Sequence, residues 1–501
     1  MTLPLAERYA DRLAGVLSCY DRIVVTGTLP TVCYAEGMTR FLYAKGIGIF
    51  DYPAFAMELR DRVREAAGRL AAIAGVEVEH IAKSHIRKEA VVAKVLERRS
   101  DRPGLVHIIS AMEACSAYKP WHDKTTHKTY LRPDSGKCLH YYFYFMDREL
   151  GLVYLRVPTW APFRLQFYCN GHGWLARRLT ASGIGFTAAD NAFVRIDDWP
   201  RAQALADQLS PDRLHRLLDR YARQCCPVLD AFEQSYHWSL MQVEYATDLV
   251  FRSTTTLAPL YEQLARQSVL SVKAEQVATF LGRKITPQLA QEIGSQFSTR
   301  IEGTCIKHRF ASASIKMYDK VGCILRIETT TNDVSFFKHH RKVEHRRRPS
   351  TRGIAPLKKT IYSLIDLRQI LYACNRRYLE HLSALDDFSA GVRALNRLTK
   401  PHVVDYKTIK GINFFDPTDN ALLRALQDPR TNIAGIRRAD LLSPLDNLSP
   451  HKISRQLRRL RDIGVIKRVT GTYRYYLTRA GRAATAALCR ITQSIIIPAL
   501  A

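Results

Sequence analysis

The chain has 501 residues, 47% of them hydrophobic, so it is long enough for roughly two to four domains with real cores and is not broadly disordered. Its 75 basic and 47 acidic residues give a net charge of +28, which favours a polyanionic partner. No run of about 18 apolar residues occurs, so nucleic acid is favoured over a membrane as that partner.

The N-terminal segment and the cysteines indicate the compartment. The segment MTLPLAERYADRL has acidic residues early and no cationic start before an apolar run, which predicts that it is no signal peptide. Eleven cysteines are scattered without a CxxC pair. This pattern is typical of reduced thiols and predicts a cytoplasmic protein.

Strand-like and helix-like segments alternate over roughly the first hundred residues. The segments 20–29 and 105–110 have the apolar character of buried strands, and 55–74 has the periodicity of a long amphipathic helix. This alternation predicts an α/β layer with some parallel pairing. We assign a mixed α/β domain to residues 1–235, and no internal repeat is evident along the chain.

The segment 114–137 has no periodicity and mixes cations, histidines and aromatic residues. A loop of this length is usually functional or disordered, and its aromatic residues argue against disorder. Basic residues interleaved with stacking side chains suit an unpaired nucleic-acid strand, whereas the alternative is a surface loop fixed by its own aromatic residues. The candidate contact residues are Tyr118, Lys119, Trp121 and Lys124.

A second domain is predicted over residues 236–348. Its centre is three strand-like pieces with short linkers, which predict an antiparallel meander. These pieces are residues 300–309, 314–320 and 323–330. The charge run 338–348 that follows is either a solvated surface or a phosphate-contacting segment.

Residues 349–412 are predicted to be a linker and a helical support for a last domain at 413–501. Within that domain, two short helices at 417–426 and 432–441 are expected to precede a third. Ser449 followed by proline is typical of the N-cap of this third helix.

The third helix carries basic residues on its solvent faces and is expected to end at Gly464, before a hairpin that turns at 470–471. The candidate DNA-contacting residues are Lys452, Arg455, Arg458, Arg459, Lys467, Arg468 and Arg474. Two helices, a basic helix and a basic hairpin resemble the winged helix-turn-helix domains of MarR-like and ArsR-like regulators. The resemblance covers about residues 413–501 and implies binding to duplex DNA, although some winged helices bind protein instead.

The meander also resembles plasmid replication initiators, in which a tyrosine-aspartate-lysine strand precedes an arginine-x-glutamate strand. The matching residues here are Tyr318, Asp319, Lys320, Arg326 and Glu328. Initiators of that kind nick DNA with a tyrosine and a divalent metal. The motif assigns no nucleophile in this chain.

Two sets of carboxylates are candidates for a catalytic metal site. In the meander, Glu302, Asp319 and Glu328 would approach one another across neighbouring strands and bind Mg²⁺ or Mn²⁺ through oxygen. The alternative for these acids is cross-strand ion pairing with neighbouring lysines and arginines.

The second set has the arrangement of RNase H-like nucleases, which place acids on a first strand and at the end of a later one. Asp21 begins one predicted strand, Glu113 follows another, and Asp190 is a third candidate. Two metals held by such acids would activate water and stabilise the leaving oxygen.

Two cysteine–histidine pairs have spacings that suit zinc. Cys138 lies two residues before His140, and Cys169 lies three residues before His172. Neither spacing forms a standard zinc knuckle, and packing on one strand face is the alternative for the first pair.

The sequence therefore predicts an α/β (α+β) multidomain protein with a C-terminal winged helix. Two functions remain open at this point. One is a DNA-processing factor of a mobile element, transposase-like or replication-initiator-like, and an Mg²⁺- or Mn²⁺-dependent nuclease or strand transferase. The other is a non-enzymatic MarR-like regulator whose large N-terminal region senses a ligand or forms oligomers. RNA binding is a further alternative.

Overall fold

The computed structural model describes residues 3–83, 85–99, 102–283, 296–345, 349–386, 389–404, 406–428 and 435–500. The chain divides into two compact units, Met1–Asp386 and Asp387–Ala501. Within the described ranges, no helix is both long enough and apolar enough to cross a membrane. All eleven cysteines are free thiols.

The first unit is organised around a sheet that has eleven strands in its described part. The described strands of this unit are β1 (Leu13–Thr28), β2 (Val78–His80), β3 (Gly104–Asp123), β4 (Lys128–Asp147), β5 (Gly151–Pro158), β6 (Leu165–Cys169), β7 (Phe186–Ala188), β8 (Phe193–Ile196), β9 (His237–Phe251), β10 (Phe297–Glu302), β11 (Cys305–Phe310), β12 (Ala313–Lys320), β13 (Ile324–Thr331), β14 (Lys338–Val343) and β15 (Thr351–Pro356). The order in the sheet is β10-β11-β12-β13-β9-β1-β6-β5-β4-β3-β2. Neighbouring strands are antiparallel except β2 and β3, which are parallel.

The two halves of this sheet repeat one topology. In the first half, β1 is followed by helices and then by the meander β3–β6, whose last strand pairs back onto β1. In the second half, β9 is followed by helices and then by the meander β10–β13, whose last strand pairs back onto β9. The central strands β1 and β9 pair with each other, so the halves meet in the middle of the sheet.

This pairing joins what the sequence suggested as two domains. The boundary expected between residues 235 and 236 lies inside the first unit, because β9 pairs with β1 along nearly its whole length. The second half of β9 is buried on both faces, so it lacks the alternation that marks a strand in a sequence.

Helices cover both faces of the sheet. The described helices of this unit are α1 (Pro4–Arg8), α2 (Ala35–Ala44), α3 (Tyr52–Ala74), α4 (Lys88–Glu97), α5 (Gly171–Ala181), α6 (Trp199–Ala206), α7 (Pro211–Cys225), α8 (Leu229–Phe232), α9 (Thr254–Ser271), α10 (Ala274–Phe280) and α11 (Leu364–Asp386), with 3-10 turns at Ile49–Asp51, Val334–Phe336 and Ile361–Ser363. On one face, α3, α7 and α11 pack into the main core. On the other face, α4 packs on the outer strands around Val92, Tyr142 and Tyr144.

The segment 114–137, expected to be an aperiodic loop, is the outer part of the β3–β4 hairpin. The two strands stay in register out to the pair Asp123 and Lys128. The Thr39 hydroxyl accepts a hydrogen bond from the Leu131 backbone N–H at 2.9 Å, which fixes the hairpin against α2. The period of two is hidden because most side chains of this outer part are exposed on both faces.

The second unit is mainly helical. Its described helices are α12 (Ser389–Thr399), α13 (Pro417–Ala425), α14 (Pro450–Ile463), α15 (Arg479–Ile491) and α16 (Ile497–Leu500), with a 3-10 helix at Arg438–Leu441 and a π-helical turn at Thr492–Ile496. Its strands are β16 (His402–Val404), β17 (Lys407–Ile409), β18 (Ile466–Arg468) and β19 (Tyr475–Leu477). Pairing β16 with β17 and β18 with β19 gives two hairpins.

The third predicted helix of this region corresponds to α14. The Ser449 hydroxyl accepts a hydrogen bond from the backbone of Lys452, and Gly464 ends the helix in the left-handed conformation that favours glycine. The second predicted helix, 432–441, lies partly outside the described residues. Its described part is a backbone bridge between Ile436 and Tyr475, followed by the 3-10 helix with Arg437 as its N-cap.

Candidate functional site

Three buried carboxylates from neighbouring strands meet on one face of the sheet. Each of Asp21, Glu244 and Glu328 offers a carboxylate oxygen that lies within 4.8 Å of the other two. The strands β1, β9 and β13 that carry them are adjacent in the sheet. Asp21 lies at the register shift beside Arg22, the residue that pairs with Glu244. We call these three residues the carboxylate cluster.

The carboxylate cluster is compensated by cations on the same face. The Lys316 ammonium lies 2.5 Å from Glu328 and 3.6 Å from Glu244. The Tyr318 hydroxyl donates to the other Glu328 oxygen at 2.7 Å, and Arg22 lies 3.7 Å from Glu244. Burial acts to lower the pKa of Lys316, but the two glutamates outweigh it and raise that pKa. Burial and the charge of Glu328 raise the pKa of Glu244.

A fully buried arginine, Arg326, lies next to the carboxylate cluster on the same face of the sheet. Arg326 donates to both oxygens of Asp248 at 2.6 and 2.7 Å and to the backbone carbonyl of Asn191 at 2.8 Å. Its Nη2 also lies 3.1 Å from His172 Nε2, while His172 Nδ1 lies 3.0 Å from Asp21. We call Asp21, His172, Asp248 and Arg326 the buried ion-pair network.

The buried ion-pair network holds its acids ionised. Burial acts to raise the pKa of Asp248, but the Arg326 charge and the His172 hydrogen bond outweigh it and the pKa falls below its usual value. The pKa of Asp21 is lowered in the same way, because contacts with His172 and Arg326 outweigh its burial. The network and the carboxylate cluster share Asp21, so they form one charged site.

So many buried charges are hard to explain by stability alone. Desolvating each ion costs several kcal/mol, roughly, and replacing a buried ion pair by apolar residues is often neutral or stabilising. Charged side chains are almost never fully buried unless paired, and this site buries five of them beneath one sheet face: Asp21, Glu244, Asp248, Arg326 and Glu328. Perturbed and buried ionisable groups cluster at functional sites, so these residues form a candidate functional site.

The predicted meander acids do not come together. Only Glu328 lies in the carboxylate cluster. Asp319 pairs with Leu325, so its side chain points to the opposite face of the sheet from Lys316 and Tyr318. Glu302 is exposed near the sheet edge, 3.9 Å from Lys307. The cross-strand ion pairing expected as the alternative therefore describes Glu302, and it also describes Glu328, which lies 2.5 Å from Lys316 on the neighbouring strand.

The RNase H-like set is divided in the same way. Asp21 is in the carboxylate cluster, but Glu113 lies on β3, bound to Lys88 at 2.9 Å and Arg156 at 2.8 Å. Asp190 lies in the turn between β7 and β8, 2.7 Å from Lys320. Each predicted set thus contributes one acid to the site.

Sequence reasoning missed Glu244, His172 as a partner of Asp21, and Asp248. Glu244 and Asp248 are four residues apart on β9 and therefore share a face. The sequence signal that could have revealed Glu244 and Asp248 is their even spacing within a largely apolar segment. Residues 237–251 suit a helix as well as a strand, which hid this signal.

The cysteine–histidine pairs do not gather metal ligands. Among the described residues, the carboxylate cluster is the group of three side chains placed to share a metal ion. Cys138 Sγ lies 3.8 Å from His140 Nδ1. Burial raises the pKa of Cys138 to about 12 and lowers the pKa of His140 to about 4, so both are neutral packing residues. His172 belongs to the buried ion-pair network.

The predicted stacking residues of the β3–β4 hairpin differ in accessibility. Tyr118 is buried, and its hydroxyl donates to the Val32 carbonyl at 2.9 Å, so it offers no free ring face. Trp121 is 41% exposed, but the Arg132 guanidinium lies 4.4 Å from its ring centroid. Lys119 lies 3.8 Å from Asp134, and Lys124 is exposed in the turn.

In the second unit, five of the predicted DNA-contacting residues are exposed. These five are Lys452, Arg455, Arg458, Lys467 and Arg468, and we call them the basic set. Arg474 is half-buried and has a partner. Arg459 has a different position, because its guanidinium contacts both Asp419 oxygens at 2.7 and 2.9 Å and the Lys410 carbonyl at 2.8 Å. Arg459 therefore ties α14 to α13.

A scan against protein-family models found no match, and searches of curated proteins and of solved structures also found none.

The buried ion-pair network predicts a specific pattern of stability changes. Replacing Arg326 by Met leaves Asp248 buried without its partner, so the free energy of unfolding should fall by about 3–5 kcal/mol. The double variant Arg326→Met/Asp248→Leu should recover part of that loss. Chemical denaturation followed by circular dichroism measures both, with Arg195→Ala, which breaks an exposed ion pair, as a control expected to change little. Additive losses in the double variant would contradict the predicted coupling.

Proposed function

We propose that this protein binds duplex DNA through its second unit. The observation that carries the proposal is the basic set, which lies on α14 and on the hairpin that follows it. The inner face of the same helix is buried through Ile453, Leu457 and Leu460, so the helix presents its cations to solvent. A net charge of +28 supports a polyanionic partner.

The order of elements in the second unit supports the same proposal. Helix α13 is followed by the bridge at Ile436, the 3-10 helix, α14 and the β18–β19 hairpin. Because Ile436 bridges Tyr475, a third short stretch joins the hairpin. This order resembles a winged helix-turn-helix, in which the helix before the hairpin enters the major groove.

The first test replaces the cations of α14. The triple variant Lys452→Ala/Arg455→Ala/Arg458→Ala should weaken duplex binding by at least about tenfold, because groove and phosphate contacts are lost. A plot of log affinity against log salt concentration should also become shallower. Its slope should fall in magnitude by about one for each phosphate contact removed. Fluorescence anisotropy with duplex DNA at several salt concentrations measures both quantities.

The matched control removes the same charge from another helix of the same unit. Arg479, Arg482 and Arg490 are exposed on α15, and their triple alanine variant should bind duplex DNA more tightly than the α14 variant does. Equal losses in the two triple variants would mean that only net charge matters, and unchanged affinity in the α14 variant would contradict the proposal. Preference for structured RNA over duplex DNA would favour the RNA-binding alternative.

A second candidate function, metal-dependent DNA strand cleavage, is favoured by the carboxylate cluster. Three carboxylates whose oxygens lie within 4.8 Å of one another suit Mg²⁺ or Mn²⁺, which prefer oxygen ligands. Such an ion supplies an activated water and charge stabilisation for phosphodiester hydrolysis. The Lys316 ammonium already lies between Glu244 and Glu328, so a cation must compete with it.

The surrounding residues have defined roles in this candidate site. His172 Nδ1 lies 3.0 Å from Asp21, and the Tyr318 hydroxyl donates a hydrogen bond to one oxygen of Glu328. The Arg326–Asp248 pair fixes β13 against β9 next to the acids.

The cleavage test is Mn²⁺-dependent nicking of supercoiled plasmid. Glu244→Gln and Asp21→Asn should each abolish nicking while duplex binding through the second unit remains. Glu302→Gln and Glu113→Gln, which remove equal charges away from the cluster, should nick like the wild-type protein. No nicking by the wild-type protein, with duplex binding intact, would favour a non-enzymatic regulator. Equal loss in all four variants would contradict a specific role for the cluster.

A further inference from the structure

A cavity of about 340 Å³ lies in the first unit between α4 and the sheet face formed by β1, β4, β5, β6 and β9. Its helix side is formed by Glu89, Val92, Ala93 and Leu96. This volume falls in the range of small-molecule sites, roughly 300–1,000 Å³. Neither the basic set nor the carboxylate cluster is part of its lining.

The sheet side of the cavity is a pair of stacked aromatic rings. Tyr154 and Tyr168 lie on adjacent strands with ring centroids 5.2 Å apart and ring planes 9° apart. Both side chains are only half-buried. The two rings are parallel and stacked on each other, and with the largely apolar helix surface opposite them they form an aromatic wall that suits a flat aromatic ligand.

A buried hydroxyl without a partner also lines the cavity. Tyr144 is 2% exposed, and within the described residues its hydroxyl makes no hydrogen bond. An unsatisfied buried hydroxyl is costly and rare, and packing α4 on the sheet does not require one. A polar atom of a bound ligand would satisfy it.

The polar end of the cavity leads to the carboxylate cluster. The Gln242 amide donates to Glu244 at 3.1 Å, and Arg22 lies 3.7 Å from the same carboxylate. The Arg22 guanidinium also lies 5.9 Å from the Tyr168 ring centroid, and its side chain is 46% exposed. Arg22 is thus the cation that a ligand phosphate would contact, since guanidinium groups bind phosphate in bidentate geometry.

We propose that this cavity binds a nucleobase, with its ring against Tyr154 and Tyr168, a ring heteroatom at the Tyr144 hydroxyl and the attached phosphate at Arg22. The nucleobase belongs either to a free nucleotide or to an unpaired nucleotide of a strand. The second case rests on the proposed DNA binding and cleavage, and it would bring a phosphodiester next to Glu244. Binding of a free nucleotide requires neither DNA binding nor cleavage.

The test fills the cavity from its helix side. Ala93 is exposed on α4, so Ala93→Trp should fold normally and block the cavity. Lys94→Trp adds the same bulk at a neighbouring exposed position that does not line the cavity. Calorimetric titration of the full-length protein with each of AMP, GMP, CMP and UMP measures binding, with ribose 5-phosphate as the probe that lacks a base. Circular dichroism and thermal melts check the fold of each variant.

At least one mononucleotide should bind the wild-type protein, while ribose 5-phosphate should not. Ala93→Trp should weaken that binding by about tenfold or more, and Lys94→Trp should leave it unchanged. Tyr144→Phe, which removes only the hydroxyl, should weaken it severalfold without loss of stability.

A strand source gives a different pattern. Mononucleotides would then fail to bind, but a single-stranded oligonucleotide would lose affinity on Ala93→Trp or when its bases are replaced by abasic sites. The proposal would be overturned if neither the mononucleotides nor the oligonucleotide bind. It would also be overturned if Ala93→Trp reduces their binding no more than Lys94→Trp does. Duplex binding by the second unit, measured on the same variants, is expected to be unaffected, so failure of the cavity and failure of the DNA-binding proposal are distinguishable.

Discussion

The antiparallel pairing of β1 with β9 is the contact on which the rest of the first unit depends. It joins two halves that are distant in sequence and share a long strand, helices and a four-stranded meander in that order, and it places Asp21 and Glu244 on adjacent strands. Because β13 then pairs with the other edge of β9, Glu328 and Arg326 are brought to the same place. The charged site therefore exists only where the two halves meet, and neither half would contain it alone.

Burial at this junction makes the charges depend on one another. Arg326 is tolerated inside the sheet because Asp248 accepts both of its donors, and Asp21 stays ionised because His172 and Arg326 lie beside it. Lys316 fills the same role for the two glutamates. The charges of the buried acids and cations in this site nearly cancel. A divalent cation or a phosphate would therefore bind there only by displacing one of these charged partners.

Local sequence signals predicted the second unit better than the first. The N-cap at Ser449, the end of α14 at Gly464 and the buried residues Ile453, Leu457 and Leu460 each depend on a few neighbouring residues, and all are present in the structure. The winged-helix assignment and DNA binding by this unit remain predictions. Arg459 shows the limit of such signals, because its partner Asp419 lies forty positions earlier in the chain.

The first unit could be predicted only in pieces, because its decisive contacts are non-local. Strand character near residue 20 and in the meander was visible, but nothing in those segments shows that β1 pairs with β9. Two acid sets were therefore proposed separately, and each held one correct member of the carboxylate cluster, Asp21 or Glu328. Glu244 was missed because β9 is buried on both faces where the acid lies, so the segment suits a helix as well as a strand.

The proposed divalent-cation site lies where the two halves meet and takes residues from both. Titration of the full-length protein with Mn²⁺, followed by electron paramagnetic resonance, tests it without requiring any catalytic activity. The account predicts one bound Mn²⁺ per chain, weakened strongly and equally by Asp21→Asn, Glu244→Gln and Glu328→Gln and unchanged by Glu302→Gln. Absence of bound Mn²⁺ in the wild-type protein, or binding that survives all three cluster substitutions, would contradict it.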